Sequence, residues 1–182
     1  EIGHEKCLST ILNSPSNFTA AKLKWIKENE PRLYEKVYKF MLPGDYIAMK
    51  LTGEVSTTST GLSEGTMWNF YDRSPASFLF QHLGIVEDII PSIVPVFSIQ
   101  GCITEKASLE TGLTKGIPVS YRAGDQPNNA FSLNVNQPGE IAATAGTSGV
   151  IYAVTDQLMN DPEGKIHFFQ HVNDNAMMTR IG

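Results

Sequence analysis

Apolar residues at helical spacing dominate the first half of the chain. Across 18–29, Phe18, Ala21, Leu23, Trp25 and Ile26 fall near one stripe behind Thr19 as N-cap, which predicts an amphipathic helix that Pro31 ends or restarts. Leu33, Val37, Phe40 and Met41 recur at the same spacing and predict a second helix over 32–41. Pro43 opens a third, which runs through Leu51 and closes at Thr52 and Gly53. Between Val55 and Gly65 the chain is crowded with Ser, Thr and Gly, so a loop or short extended stretch is expected, and Ser74-Pro75 starts a helix reaching about Leu83.

The texture changes after Gly84. Ile89, Ile90, Ile93, Val94, Val96, Phe97 and Ile99 are interrupted by Pro91 and Pro95, which suits an extended connector. A short strand near 101–104 follows, then a helix from Thr104 to Thr111 capped by Thr104 and stopped by Gly112. Pro118 to Tyr121 is β-prone and runs into Arg122-Ala-Gly-Asp-Gln-Pro-Asn-Asn-Ala130, where a strand meets a helix. Beyond Pro138-Gly139, residues 140–145 and 150–154 alternate around Gly146-Thr147-Ser148-Gly149 and predict a hairpin with a glycine-rich turn. Helices and strands interleave, and the polar stretch 134–138 is the expected internal boundary, dividing the chain into 1–136 and 137–182.

Composition narrows the classes. The 182 residues suffice for one domain, or for one and part of another. Fourteen Lys and Arg against nineteen Asp and Glu give a formal charge of −5, with no basic run to track a phosphate backbone, so nucleic acid is not an expected partner. No apolar stretch approaches the ~20 residues of a membrane span, so no membrane association is expected. Two cysteines, Cys7 and Cys102, are too few for a disulfide framework or a four-cysteine zinc site, which favours a reducing, cytoplasmic compartment and a structural role for both. A start at Glu1 without Met, and an end at Ile181-Gly182 without a polar tail, suggest a piece of a longer protein.

Asp125 is the most informative position. Gly124 lets the chain turn sharply and Asp125 falls at the N-cap of the following helix, where a carboxylate is favoured and is placed to accept a proton from a substrate hydroxyl. An aspartate that only caps its helix fits the same local pattern. Asn128 and Asn129 in the first turn suggest a polar wall, or plain surface solvation. The backbone amides and hydroxyls of Gly146, Thr147, Ser148 and Gly149 suit phosphate oxygens, and a tight turn needs the same glycines. An acid at a strand-to-helix junction followed 22 residues later by such a turn suits phosphoryl transfer. His167 and His171, spaced i, i+4, are expected to share a strand face without a third ligand, so no metal centre is expected there. Trp25 and Trp68 are expected to be core anchors, and Glu64 a loop glutamate that adds a carboxylate near the cleft or is simply solvated.

Taken in order, these segments resemble the FGGY carbohydrate kinases, and among them the xylulokinase-like branch. Asn17 to Pro31 is similar to a helix signature of the family's N-terminal domain, Met41 to Gly53 to the segment after it, and Ser63-Glu-Gly-Thr66 with Trp68-Asn-Phe70 to its small-residue loop. The resemblance implies an actin-like ATPase (ribonuclease H-like) domain, partial here, with the first strands of a second domain of the same type. It implies Asp125 as catalytic base and Gln126 as a sugar contact, with Asn128 beside it. It also implies that Gly146, Thr147, Ser148 and Gly149 approach the terminal phosphate of ATP, with Mg²⁺ arriving on the nucleotide. D-Xylulose is the implied sugar. Tyr121-Arg-Ala-Gly-Asp-Gln-Pro127 replaces the glycine run of many xylulokinases, and Gln126 also resembles glycerol kinases, which keeps ribulose, glycerol and gluconate as alternatives. A non-catalytic actin-like sugar or nucleotide sensor and a homodimer are left open. By the same resemblance, a first phosphate-binding turn and an adenosine pocket fall outside 1–182, and the chain alone is expected to be inactive.

Overall fold

The computed structural model describes residues 3–16, 18–145 and 149–173, and the backbone of 177–181. Its first part is helical: α1 (His4–Thr10), α2 (Thr19–Asn29), α3 (Pro31–Tyr34), α4 (Pro43–Thr52), α5 (Ser59–Glu64) and α6 (Ser77–Leu83). Three two-residue strands come between and after them, β1 (Ser56–Thr57), β2 (Trp68–Asn69) and β3 (Ser74–Pro75), and β4 (Ser92–Ile93) pairs in parallel with β1. Next come α7 (Glu105–Thr111) and α8 (Asp125–Ser132), then β5 (Ile141–Ala145), β6 (Gly149–Thr155), β7 (Ile166–Gln170) and β8 (Met177–Ile181). These last four form an antiparallel sheet in the order β5-β6-β8-β7, so β8 lies between β6 and β7.

Several elements follow from their capping residues. Pro43 opens α4, and Gly53, left-handed at φ 82°, closes it. Thr104 caps α7 through Oγ1, which accepts the Ala107 N–H at 3.2 Å, and Gly112 at φ 78° ends it. The hairpin of β5 and β6 forms as its alternation predicts, with Ala145 opposite Gly149.

Four expectations need correction. The helix expected over 32–41 stops at Tyr34, and Phe40 instead gives its N–H to the Ile89 carbonyl at 3.0 Å. Thr19 is the first residue of α2 and Phe18 its N-cap, with no side-chain cap. Ser74 and Pro75 pair as β3 with β2, and α6 starts at Ser77. The strand expected at 118–121 is reduced to two isolated bridges, Cys102 with Pro118 and Phe97 with Tyr121.

The consequential difference is at 55–65, where the Ser, Thr and Gly residues form α5. Thr58 caps it by accepting the Gly61 N–H at 3.2 Å, and Thr60, Gly61, Leu62 and Ser63 are buried. Local propensity is weak here, and packing decides. Leu62 joins Cys7, Ile11, Leu12, Leu23, Met67, Trp68, Leu79 and Phe80 in the main apolar core. Trp68 is thus the anchor expected, whereas Trp25 is 58% exposed on the outer face of α2.

β7 joins this core to the sheet. Successive strand residues point to opposite faces, so Phe168 enters the main core and Phe169 packs with Ala130, Val135, Tyr152 and Val154 beneath α8. Buried Asn13 substitutes for a neighbouring strand: its amide donates to the Phe168 carbonyl at 2.6 Å and its Oδ1 accepts the Phe168 N–H at 3.0 Å. The Gln170 N–H is received by Ser63 Oγ at 2.8 Å, which ties β7 to α5. α8 is therefore held between α5 and the sheet.

Candidate functional site

The N-terminus of α8 opens onto a cavity of about 550 Å³, whose lining includes Asp125, Gln126 and Asn128 together with Glu64, Asp45 and Arg122. Gly124 is the N-cap, with extended backbone, and Asp125 is the first helical residue, one position later than expected. Glycine has no side chain to cap a helix, and the orphan amides of the first turn need acceptors. They find them across the chain on α5. The Gln126 N–H donates to Glu64 Oε1 at 2.9 Å, and the Asp125 N–H also donates to the Glu64 carboxyl. The Gly124 N–H donates to Thr60 Oγ1 at 3.2 Å. Thr60 and Glu64 are four residues apart, on one face of α5, and together fix where α8 begins.

A Cβ on Gly124 would run into the Glu64 carboxyl, the far end of a flexible side chain, so a larger residue at 124 requires that carboxyl to shift. The glycine before Asp125 thus leaves room for the approach of Glu64, while its dihedrals are ones any residue adopts. The Glu64 and Asp125 carboxyls both line the cavity wall and face each other there. Burial, then the hydrogen bond to Asp125 and its negative charge, push the Glu64 carboxyl up to about 8. Asp125 itself is exposed to the cavity, and Gln126 is half-buried, with Oε1 unpartnered among the described residues. Asn128 is exposed, and its Oδ1 accepts the Tyr121 hydroxyl at 2.8 Å.

A second acid on the same wall has a different partner. Asp45 is 4% exposed, accepts the Leu42 N–H at 3.2 Å to cap α4, and faces Arg122 Nε at 3.1 Å. Burial raises the Asp45 carboxyl, while Arg122 and hydrogen bonds from Thr57 and Leu42 oppose the rise. Burial likewise lowers the Arg122 guanidinium against the pull of Asp45. Arg122 also donates to Ser56 Oγ at 3.2 Å, so it joins α4, β1 and the segment leading to α8.

Asp125, Gln126 and Asn128 are thus brought to one cavity. Gly146, Thr147 and Ser148 lie outside the described residues, whereas Gly149 opens β6 at an exposed position. Among the described residues, a Cβ on Gly149 would meet the Thr144 carbonyl alone, at 3.9 Å. His167 lies in β7 and buried His171 just after it, where His171 Nε2 contacts the Val135 carbonyl at 3.0 Å and burial lowers its ring. Among the described residues no group of three or more His, Cys, Asp or Glu could hold a metal ion, and no helix is long and apolar enough to cross a membrane. Cys7 is buried and Cys102 exposed, both as free thiols.

The sequence places Glu64 in a loop and leaves open that it adds a carboxylate near the cleft; it lies in α5 and does line the cavity, but its contact with the first turn of α8 is not foreseen. The available signal was Thr60 and Glu64 at helical spacing, together with a glycine immediately before the acid.

Comparison with known proteins identifies the family. The model of the FGGY family of carbohydrate kinases, N-terminal domain, matches residues 6–132. The xylulose kinase of Staphylococcus xylosus is 31% identical over 154 residues, covering 85% of this chain and 32% of the relative. That of Bacillus subtilis (strain 168) is 28% identical over 162 residues, covering 89% and 32%. The chain therefore spans about a third of the length of the curated relatives it matches. Among solved structures, xylulose kinase from Rhodospirillum rubrum superposes with a TM-score of 0.88 at 25% identity, over 97% of this chain and 36% of that one. Plasmodium falciparum glycerol kinase with ADP gives 0.86 at 16% identity over 99% of this chain and 37% of that one, a likeness of fold alone.

Proposed function

The chain belongs to the FGGY family of carbohydrate kinases, and from that membership we propose that the whole protein transfers the γ-phosphoryl group of ATP to a hydroxyl of D-xylulose, with Asp125 as general base. The observation that carries the assignment of the base is the position of Asp125: an exposed carboxylate on the first turn of α8, at the wall of a cavity large enough for a sugar. The Asp125 and Gln126 amides are already taken by Glu64, so the α8 N-terminus serves the sugar side of the reaction and not the phosphate.

On this reading Gln126 and Asn128 orient the sugar, and Gln126 Oε1 is an acceptor without a partner among the described residues. The sugar hydroxyl oxygen forms a bond to the γ-phosphorus as the bond from that phosphorus to the β–γ bridging oxygen breaks. The hydroxyl proton passes to Asp125 Oδ, and the electron pair of the broken bond leaves on ADP. Gly146, Thr147, Ser148 and Gly149 are the phosphate contact, since glycine and threonine amides and hydroxyls suit phosphate oxygens. Mg²⁺, carried by the nucleotide, supplies charge neutralisation at the phosphates. The proposed division of the chain places 1–136 in the N-terminal domain and 137–182 in the second, and a cytoplasmic location accords with this chemistry.

The test is ADP release by the whole protein with Mg·ATP and D-xylulose, D- and L-ribulose, glycerol or gluconate, beside Asp125→Asn. Turnover with D-xylulose that the variant abolishes is the expected result. Preference for another sugar of the panel would keep the base and replace the substrate, and equal turnover by wild type and variant would remove Asp125 from the chemistry.

A further inference from the structure

We infer that Glu64 is a positioning residue for this reaction, a carboxylic acid that stays protonated and donates its O–H to the Asp125 carboxylate, fixing the orientation of the base. The inference rests on the assignment of Asp125 above and extends it to a residue on another helix.

Three features of the geometry carry it. Glu64 is buttressed from below, since α5 is capped by Thr58 and buried over Thr60 to Ser63, leaving its terminal carboxyl to project toward α8. The absence of a Cβ on Gly124 provides the space that this carboxyl fills. Its carboxyl accepts the amides of Asp125 and Gln126, which by themselves favour the ionised form, and it also lies within reach of the Asp125 carboxyl, which favours a shared proton. Two carboxylates cannot hydrogen-bond each other without a proton between them, because an ionised carboxylate only accepts.

The surroundings decide which acid keeps the proton. Glu64 is half-buried whereas Asp125 is exposed, and burial disfavours charge. No other residue of α5 is ionisable. On the neighbouring elements, Lys22 of α2 lines the cavity but is exposed, and Arg122 is committed to Asp45 at 3.1 Å. Burial first, then the closeness and negative charge of Asp125, raise the Glu64 carboxyl to about 8 against the opposing pull of the Gln126 and Asp125 amides. The protonated acid holds Asp125 in one rotamer, and the proton later taken from the sugar hydroxyl enters a pair already joined by a hydrogen bond.

The experiment compares kcat/KM for the sugar against pH in the whole protein and in Glu64→Gln and Glu64→Ala. Gln keeps the amide acceptor and supplies a permanent neutral donor. Wild type should lose activity on an alkaline limb centred near pH 8, and Glu64→Gln should stay within about tenfold of wild type at neutral pH without that limb. Glu64→Ala should lower kcat by about 10- to 100-fold with less effect on KM. A second readout needs no turnover: an infrared C=O band of a protonated carboxyl at pH 7, present in wild type and absent from Glu64→Gln. Identical pH profiles for wild type and Glu64→Gln, loss of activity in Glu64→Gln as deep as in Asp125→Asn, or absence of the band would each overturn the inference. A band that behaves as expected in a protein that phosphorylates no sugar would instead count against the kinase reading, leaving the acid pair in place.

Discussion

The cavity wall carries two acids, Asp45 buried and Glu64 half-buried, solved in opposite ways. Asp45 meets a cation, Arg122, and is held by an ion pair 5–8% exposed on its two side chains. Glu64 meets another acid, Asp125, with backbone amides in place of a cation. Both carboxyls are raised by burial, but the first is opposed by a full positive charge, whereas the second is opposed only by backbone amides and is pushed further by Asp125. The difference separates a brace from working chemistry. A neutralised pair ties α4, β1 and the approach to α8 together and has nothing left to exchange, whereas an acid set against an acid keeps a proton that can move.

Substituting each side of the comparison should give different kinds of damage. The largest effect is expected from Asp125→Asn, which should lower kcat by about 10³-fold or more while sugar binding is kept, as measured by ADP release and by calorimetric titration with the sugar. Arg122→Met should instead destabilise the fold by about 3–5 kcal/mol in denaturant unfolding, because Asp45 is left buried and uncompensated. The double variant Asp45→Asn with Arg122→Met should recover part of that loss, and a simple sum of the two single effects would show that the pair is not coupled.

Gly124→Ala tests the approach of Glu64. The added methyl should displace the carboxyl and lower kcat by about 10- to 100-fold, with a much smaller further cost when made in a Glu64→Ala background. The smallest effect concerns stability against pH. Glu64 is raised in the folded state from 4.5 to about 8, so the native state holds more protons than the unfolded one between these values, and stability falls as pH rises through that window. Glu64→Gln should remove this slope, a gain relative to wild type on the order of 1–2 kcal/mol at pH 8 once solvent screening is allowed for. Thermal unfolding at pH 5 and pH 8 measures it, and parallel slopes for the two proteins would deny Glu64 the raised value.

The legible parts of the fold were those fixed locally. Pro43 and Gly53 bracket α4, Thr104 and Gly112 bracket α7, and alternation defines β5 and β6, because caps and periodicity act over a few residues. Asp125, Gln126 and Asn128 were legible as one wall for the same reason, as they share the first turn of one helix. What was not legible depended on partners far along the chain. Within 55–65, Ser56 and Thr57 form the short extended piece expected, but 59–64, of poor helical propensity, form α5 because Leu62 enters the core and Ser63 receives β7. Glu64 then reaches α8 across 62 positions, a contact no local pattern encodes. Trp25 shows the converse, an aromatic at a helical position that packing leaves outside.

The order β5-β6-β8-β7 has a consequence for how the protein is made. β7 leaves the ribosome before the strand that will lie beside it, and at ~5–20 residues per second the remaining stretch to 181 takes roughly a second to synthesise. During that interval β7 has no partner in its sheet, and its backbone is protected chiefly by Asn13 and Ser63, both on the helical side. Before β8 emerges, the hydrogen-bonding groups that the helical part offers β7 are those of Asn13 and Ser63. Weakening the Asn13 clamp should reduce the yield of correctly folded protein from translation more than it reduces the stability of protein already folded.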